Sequence, residues 1–231
     1  PAVTASYLLF SASTGEHLAL INGSVLTARR TAAASALGAR YLANPQAQTL
    51  LILGAGRVAR ELPEASSSLF PIKKILIWNR TPARAQELLR ELVALQRWEL
   101  ALVTDLQTAV RGSDIISSAT LAQQPVLFGE WLVAGQHLDL IGSFTPKMRE
   151  VDEAALQRAQ VYIDTEAALH ESGDLLIPLQ TGALKTTDIR GNFYDLCKLQ
   201  HNQHDPKAIT LFKGVGHAVE DLAAGIVAYQ A

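Results

Sequence analysis

The stretch that most constrains this chain is Thr49 to Ala59, TLLILGAGRVA. Its apolar run, Leu50 to Leu53, stops at Gly54-Ala55-Gly56 and gives way to a helical pattern. A short apolar run closed by a glycine turn reads as a buried parallel strand. Gly-x-Gly-x-x-Ala at that place is the phosphate-binding turn of a dinucleotide fold. Gly54 permits the tight turn, Gly56 lets the backbone approach a pyrophosphate, and Ala59 is small enough for the helix to lie against its strand. The free N–H groups at the helix start face the phosphates.

A second apolar run, Ile75-Leu76-Ile77-Trp78, ends in Asn79-Arg80-Thr81, and Arg57 to Phe70 between the two runs is long enough for a crossover helix. The result is a strand-helix-strand unit. Position 79 is where an NAD site would place an acid for the ribose 2′-hydroxyl, and here it is asparagine. The Arg80 fork, flanked by Asn79 and Thr81, suits a 2′-phosphate, so the cofactor is read as NADPH, with NADH a weaker ligand. The alternative is an ordinary surface arginine, with Thr81 capping a helix at Pro82.

With 231 residues, 48% of them hydrophobic, the chain can bury an ample core in one or two domains. A net charge of −2 argues against nucleic acid or an acidic membrane as partner. No apolar run reaches membrane-spanning length and none reads as a signal peptide, so a reducing cytoplasm is the expected compartment. The single cysteine, Cys197, sits in a helix-like DLCKL segment and excludes a disulfide framework. The chain begins at Pro1 and enters a strand pattern almost at once, so a preceding portion is expected.

Val3 to Ser13 and His17 to Ile21 read as a hairpin joined by Ser13-Thr14-Gly15-Glu16, with Asn22-Gly23 turning the chain. Two strands are no stable sheet alone and need further partners. Val25 to Ala43 is rich in helix formers and stops at Asn44-Pro45. Arg29 and Arg30 near its start read either as a solvated face or, at the mouth of a cleft, as a clamp for a substrate carboxylate. Further strands are expected at 99–103, 114–119, 136–141, 161–164 and 209–213, with helices at 82–95 and 105–110. That alternation gives a doubly wound parallel α/β sheet. Ligands in such sheets bind beyond the carboxyl ends of the strands, which places Ser118, Ala119, Thr120, Gly142, Ser143 and Phe144 on the cofactor side. Val215 to Tyr229 reads as a final amphipathic helix. His217 at its start either reaches nicotinamide or substrate or caps the helix. Glu171-Ser172-Gly173-Asp174 reads as a helix end or turn. His201-x-x-His204-Asp205 has metal-like spacing in a polar loop, and no metal site is assigned.

Several stretches together resemble the ornithine cyclodeaminase and μ-crystallin family. They are TARRTAAASA at 27–36, LGAG at 53–56, IWNRT at 77–81, VLFGEWL at 126–132, ESGDLL at 171–176 and GVGHAVEDLAA at 214–224, in the family's order. The resemblance implies a Rossmann domain over 44–215 joined to a substrate-binding and dimerisation domain. Residues 1–43 and 216–231 would belong to the latter, whose first part would precede this sequence, and a homodimer is implied. Arg30 resembles the family arginine that binds the substrate carboxylate. Gly54, Gly56, Asn79, Arg80 and Thr81 resemble the NADP(H) site of the μ-crystallin-like branch, and Ala55, Arg57, Val58, Gly216 and His217 are expected beside them as cofactor-binding residues.

Three departures bear on activity and cofactor binding. Cyclodeaminases place an acid/base aspartate just after the glycine turn that follows the strand at 136–141; here the turn reads Gly142-Ser143-Phe144, and the aspartate position is Phe144. A phenyl ring cannot transfer a proton. The resemblance therefore implies reduction of cyclic ketimines, Δ1-pyrroline-2-carboxylate or Δ1-piperideine-2-carboxylate, to proline or pipecolate. The rivals are an ornithine cyclodeaminase, an alanine-dehydrogenase-like enzyme and a non-catalytic NADPH-dependent binding protein. The other two departures are Val58 and Leu62, where many members have Gln and His. Pro63 follows closely, at a cost of about 3 kcal/mol past the first helical turn, which sets the shape of that helix in question.

Overall fold

The computed structural model describes residues 4–199 and 202–231. An antiparallel hairpin, β1 (Ser6–Phe10) and β2 (His17–Asn22), leads into the long helix α1 (Gly23–Leu42). The expected turn at Asn22-Gly23 is the helix N-cap itself, with Asn22 Oδ1 accepting from the N–H groups of Ser24 and Val25. The expected strand start at Val3 lies outside the described residues.

The rest of the chain forms an eight-stranded, wholly parallel sheet. Its strands are β3 (Thr49–Leu53), β4 (Lys74–Trp78), β5 (Glu99–Leu102), β6 (Ile115–Ser118), β7 (His137–Leu140), β8 (Ala159–Ile163), β9 (Ile189–Gly191) and β10 (Ile209–Lys213). Their order is β5-β4-β3-β6-β7-β10-β8-β9, so the chain reverses direction of travel between β3 and β6. That switch point is where a doubly wound sheet opens a crevice. The doubly wound α/β expectation holds, with β9 added at an edge; Ile189-Arg190-Gly191 is too short and polar to show an apolar run.

Helices α2 (Arg57–Ser67) and α3 (Pro82–Val93) lie with α1 on one face. The other face carries α4 (Leu106–Arg111), α5 (Glu153–Arg158), α6 (Ala168–Glu171) and α7 (Gly173–Thr181). Two apolar cores result. Leu50, Ile52, Leu62, Ile75 and Leu88 fill one, and Leu51, Leu53, Leu138, Leu140 and Val161 the other, so alternate residues of β3 feed opposite cores. Two further helices, α8 (Phe193–Lys198) and α9 (Ala218–Gln230), complete the chain. The helix α2 runs unbroken through Pro63, which is buried beside Ala59 and Leu62. Burial of that face outweighs the local penalty, and the expected disturbance is absent. Glu171 ends α6 and Ser172 N-caps α7. Among the described residues no helix is long and apolar enough to cross a membrane.

Candidate active site

A cleft of about 980 Å³ opens at the carboxyl ends of the strands, walled on one side by α1. The turn after β3 forms its floor. Gly54 has φ 110°, and a Cβ there would lie 2.6 Å from the Ala119 carbonyl oxygen, so only glycine fits between the two strand ends. Gly56 N-caps α2 without a side-chain cap, and a Cβ added to it would meet nothing within 4 Å. The start of α2 therefore carries no side-chain cap and has open space beside Gly56, as a cradle for a pyrophosphate needs. Ala55, Gly56, Arg57, Val58, Ala119, Thr120 and Gly142 line the cleft, with Arg30 from α1 and Gly216 from the loop before α9.

Other residues expected at the cofactor side stand elsewhere. Ser118 and Ser143 are fully buried and turned away from the cleft. Ser118 Oγ donates to Glu150, and Ser143 Oγ bonds the Met148 carbonyl and Ser172 Oγ. Both lie at or beyond strand ends as expected, but their side chains point into the fold. His217 does not line the cleft; it is exposed, and its Nδ1 accepts from the Val219 N–H, so it caps α9. Asn79, Arg80 and Thr81 follow β4 just outside the cleft lining. Asn79 Nδ2 donates to the Thr81 carbonyl, and Thr81 is the N-cap residue of α3 without a side-chain cap hydrogen bond. Arg84 and Glu87 of α3 and Arg60 of α2 do line that end of the cleft. Arg84 is the third residue of α3, four positions after Arg80 in the sequence. His201 lies outside the described residues, and His204 bonds through its N–H to Asn202 Oδ1.

Arg30 is only 13% exposed and is held by two carboxylates of α9: Nη1 donates to Glu220 at 2.9 Å and Nε to Asp221 at 2.8 Å. Its Nη2 has no hydrogen bond among the described residues. Burial pushes the Glu220 carboxyl up, with Arg30 opposing. The guanidinium packs on Gly216, whose φ of 90° and lack of a Cβ both serve the close approach. That loop is fixed by Asp164, whose Oδ2 accepts from the N–H groups of Val215 and Gly216 at 2.7 Å each. Sequence reasoning missed Asp164, the residue just after β8.

It also missed the cluster behind the cleft. Glu150, fully buried, accepts five hydrogen bonds: from Ser118 Oγ, the Thr120 N–H and hydroxyl, and the N–H groups of Gly142 and Ser143. It thereby ties the loop after β6 to the loop after β7. Asp174 Oδ1 in turn accepts from the N–H groups of Glu150 and Val151. The buried Lys213 ammonium donates to the Leu140 carbonyl and stands 3.9 Å from Asp174 Oδ2. Burial pushes both carboxyls up and Lys213 opposes it.

The chain matches the ornithine cyclodeaminase/mu-crystallin family over residues 1–231 and belongs to it. It is 40% identical over 225 residues to the Δ1-pyrroline-2-carboxylate reductase of Paracoccus denitrificans, covering 96% of this chain and 71% of that protein. It is 38% identical over 230 residues to the mouse ketimine reductase mu-crystallin, covering 99% and 70%. Among solved structures it resembles the Δ1-pyrroline-2-carboxylate reductase of Thermococcus litoralis in complex with NADH and L-proline. There the TM-score is 0.94 at 33% identity, over 100% of this chain and 72% of that one.

Proposed function

We propose that this protein is an NADPH-preferring reductase of cyclic α-imino acids, converting Δ1-pyrroline-2-carboxylate or Δ1-piperideine-2-carboxylate to proline or pipecolate. The wider class, nicotinamide-dependent reduction of a C=N bond, is shared by the named relatives. The observation that carries the reading is the composition of one cleft, in which the glycine turn, Arg30 and Phe144 face the same space. Phe144 stands where cyclodeaminases of the family have their acid/base aspartate. This wall can shape a ring pocket but cannot take a proton from an amino group.

The turn Gly54 to Val58 and the start of α2 hold the pyrophosphate, while Ala119, Thr120 and Gly142 border the nicotinamide. The dihydronicotinamide, when bound, supplies the hydride. Arg30 offers its Nη2, the edge not taken by Glu220 and Asp221, to the substrate carboxylate. Arg80, exposed after β4, takes the 2′-phosphate. Residues 1–43 and 216–231 form the substrate side, and the described part of that region exposes Leu8, Phe10 and Leu20 on the hairpin and Val219, Leu222 and Val227 on α9. Apolar surface of this kind on β1, β2 and α9 suits the homodimer the family implies. The cytoplasm is the compartment in which an exposed thiol such as Cys197 stays reduced.

The test follows NADPH and NADH oxidation with each imine, with ornithine plus NAD alongside. Rapid oxidation with either imine is expected, and its ratio gives the preferred ring. Ammonia released from ornithine with silence on both imines would overturn the reading. Arg80→Ala should weaken NADPH by about tenfold or more while sparing NADH, as loss of a charged hydrogen bond predicts. Equal losses for both cofactors would remove the 2′-phosphate assignment.

A further inference from the structure

We propose that Glu220 recognises the protonated imine nitrogen of the substrate, accepting its N–H while Arg30 holds the carboxylate beside it. The inference rests on the imine-reductase reading above and adds to it the group that selects an imine over a 2-oxo acid.

An α-imino acid carries its nitrogen and its carboxylate on the same carbon, so the nitrogen stands about 3 Å from the nearer carboxylate oxygen. Whatever holds the nitrogen must therefore sit next to the arginine fork. Four carboxylates line the cleft: Glu87, Asp164, Glu171 and Glu220. Glu87 of α3 and Glu171 at the end of α6 are exposed. Asp164 is spent on the backbone, its Oδ1 accepting from the Thr165 N–H at 2.6 Å and its Oδ2 from Val215 and Gly216. Glu220 remains. It lies in the first turn of α9 with its side chain 16% exposed, and its Oε2 is 2.9 Å from Arg30 Nη1. Its Oε1 makes no hydrogen bond among the described residues, and Arg30 Nη2 is likewise without one. An acceptor and a donor thus stand open side by side, at the spacing an α-imino acid presents. Asp221, which takes Arg30 Nε at 2.8 Å, does not line the cleft.

Charge points the same way. Asp164, Glu220 and Asp221 share this corner with one guanidinium, and no other cation pairs with any of the three among the described residues. Burial, Asp164 after β8 and Asp221 on α9 push the Glu220 carboxyl up, while Arg30 of α1 opposes them. A carboxylate crowded in this way is relieved by a neighbouring cation. A 2-oxo acid would bring a further negative charge and no N–H donor. The iminium zwitterion brings a positive charge with its carboxylate, so the corner admits the protonated imine and rejects the oxo acid of the same shape. Hydride added to the iminium carbon sends the π pair onto nitrogen. The products are one neutral amine, its N–H still on Glu220, and one oxidised nicotinamide.

Calorimetric titration of the full chain loaded with oxidised cofactor should compare L-proline with (S)-tetrahydrofuran-2-carboxylate, in which oxygen replaces the ring nitrogen and its protons. Wild type should bind proline at least about tenfold tighter, as one charge-assisted hydrogen bond predicts. Glu220→Gln keeps an oxygen for Arg30 Nη1. It should lose most of that preference by weakening proline alone, and lower kcat/KM on the imine by a comparable factor. Asp221→Asn should weaken both ligands alike, through Arg30, and keep the preference. No preference in wild type, or one that Glu220→Gln leaves intact, overturns the assignment. A preference that Asp221→Asn removes to the same extent also overturns it, because Glu220 then acts only by holding Arg30. In each of these cases imine reduction by wild type leaves the reductase reading standing. A wild type inactive on both imines removes that reading and this assignment with it.

Discussion

The two faces of β7 bury charge in opposite ways. On one, Glu150, Asp174 and Lys213 are fully buried, and Glu150 alone takes five hydrogen bonds. On the other, His137 has one partner, Thr210 Oγ1 at 2.9 Å, its Nε2 has none among the described residues, and neither does either oxygen of Asp139. Burial raises carboxyls on both faces. The difference lies in what surrounds them. Donors and an ammonium fix the Glu150 cluster in one geometry, whereas Asp139 is governed by the proton it holds. A buried charge with partners is scaffolding; one without them is a titrating group. The scaffold also sits where it matters, because the loops it ties, at Thr120 and Gly142, line the cleft.

The largest expected effect tests the satisfied face. Glu150→Ala leaves the buried N–H groups of Gly142 and Ser143 and the Ser118 hydroxyl without their acceptor, and Lys213 with less opposing charge. Breaking such a cluster from one side costs about 3–5 kcal/mol, which urea denaturation would read directly. Nucleotide affinity should fall with it. A loss under about 1 kcal/mol would mean that the hydrogen bonds on this face contribute no more than an ordinary surface network.

The opposite face should reveal itself through pH. Asp139 lies at about 7 in the folded chain against an ordinary 3.8, so the native state binds more protons through that window and its stability falls as pH rises. His137 lies at about 3 against an ordinary 6.5, so its contribution to stability is complete above 6.5 and is lost as pH falls toward 3. The windows overlap between 3.8 and 6.5, where the two slopes oppose each other. Asp139→Asn removes one of them. Relative to wild type the variant should gain stability with rising pH, by up to about 1.4 kcal/mol per pH unit, and the gain should level off above pH 7. Taking the difference cancels Glu150 and Asp174, which both proteins share. Parallel stability profiles would show that Asp139 is solvated and that the two faces do not differ.

This contrast was largely hidden in the sequence, for reasons that differ by residue. The β3-α2-β4 unit was legible because its strands are pure apolar runs and its turn needs glycine at Gly54. The strand-end residues Ala119, Thr120 and Gly142 followed from position along the chain and Arg30 from the family resemblance, and all line the cleft. Strand ends say where a residue sits but not which way it points, which is why Ser118 and Ser143 are expected on the cofactor side and lie buried instead. The His137-Leu138-Asp139-Leu140 segment did carry a signal: polar residues alternating with leucine in an otherwise buried strand. Glu150 and Lys213 carried none, and Asp174 stood only within the ESGDLL stretch with no role attached, since loop, helix start and strand end become neighbours only when the sheet closes. Asp164 and the short edge strand β9 were likewise visible only in three dimensions.

The smallest effect belongs to a pair that looks stronger than it is. Arg60 of α2 grips Glu91 of α3 with two hydrogen bonds, Nε at 2.7 Å and Nη2 at 2.9 Å, and also reaches the Ala55 carbonyl at the cleft floor. The Glu91 carboxylate raises the guanidinium pKa, and Arg60 in turn holds the Glu91 carboxyl below its ordinary value. The geometry rivals that of the Glu150 cluster, but the side chains are 33% and 45% exposed, and water already solvates both ions. A double-mutant cycle over Arg60→Ala and Glu91→Ala should give a coupling of about 0.5–1 kcal/mol that shrinks in high salt. The cost of Glu150→Ala should be nearly independent of salt, because no mobile ion reaches that cluster. A salt-insensitive Arg60–Glu91 coupling of several kcal/mol would show that geometry, rather than burial, sets the worth of a charge in this fold.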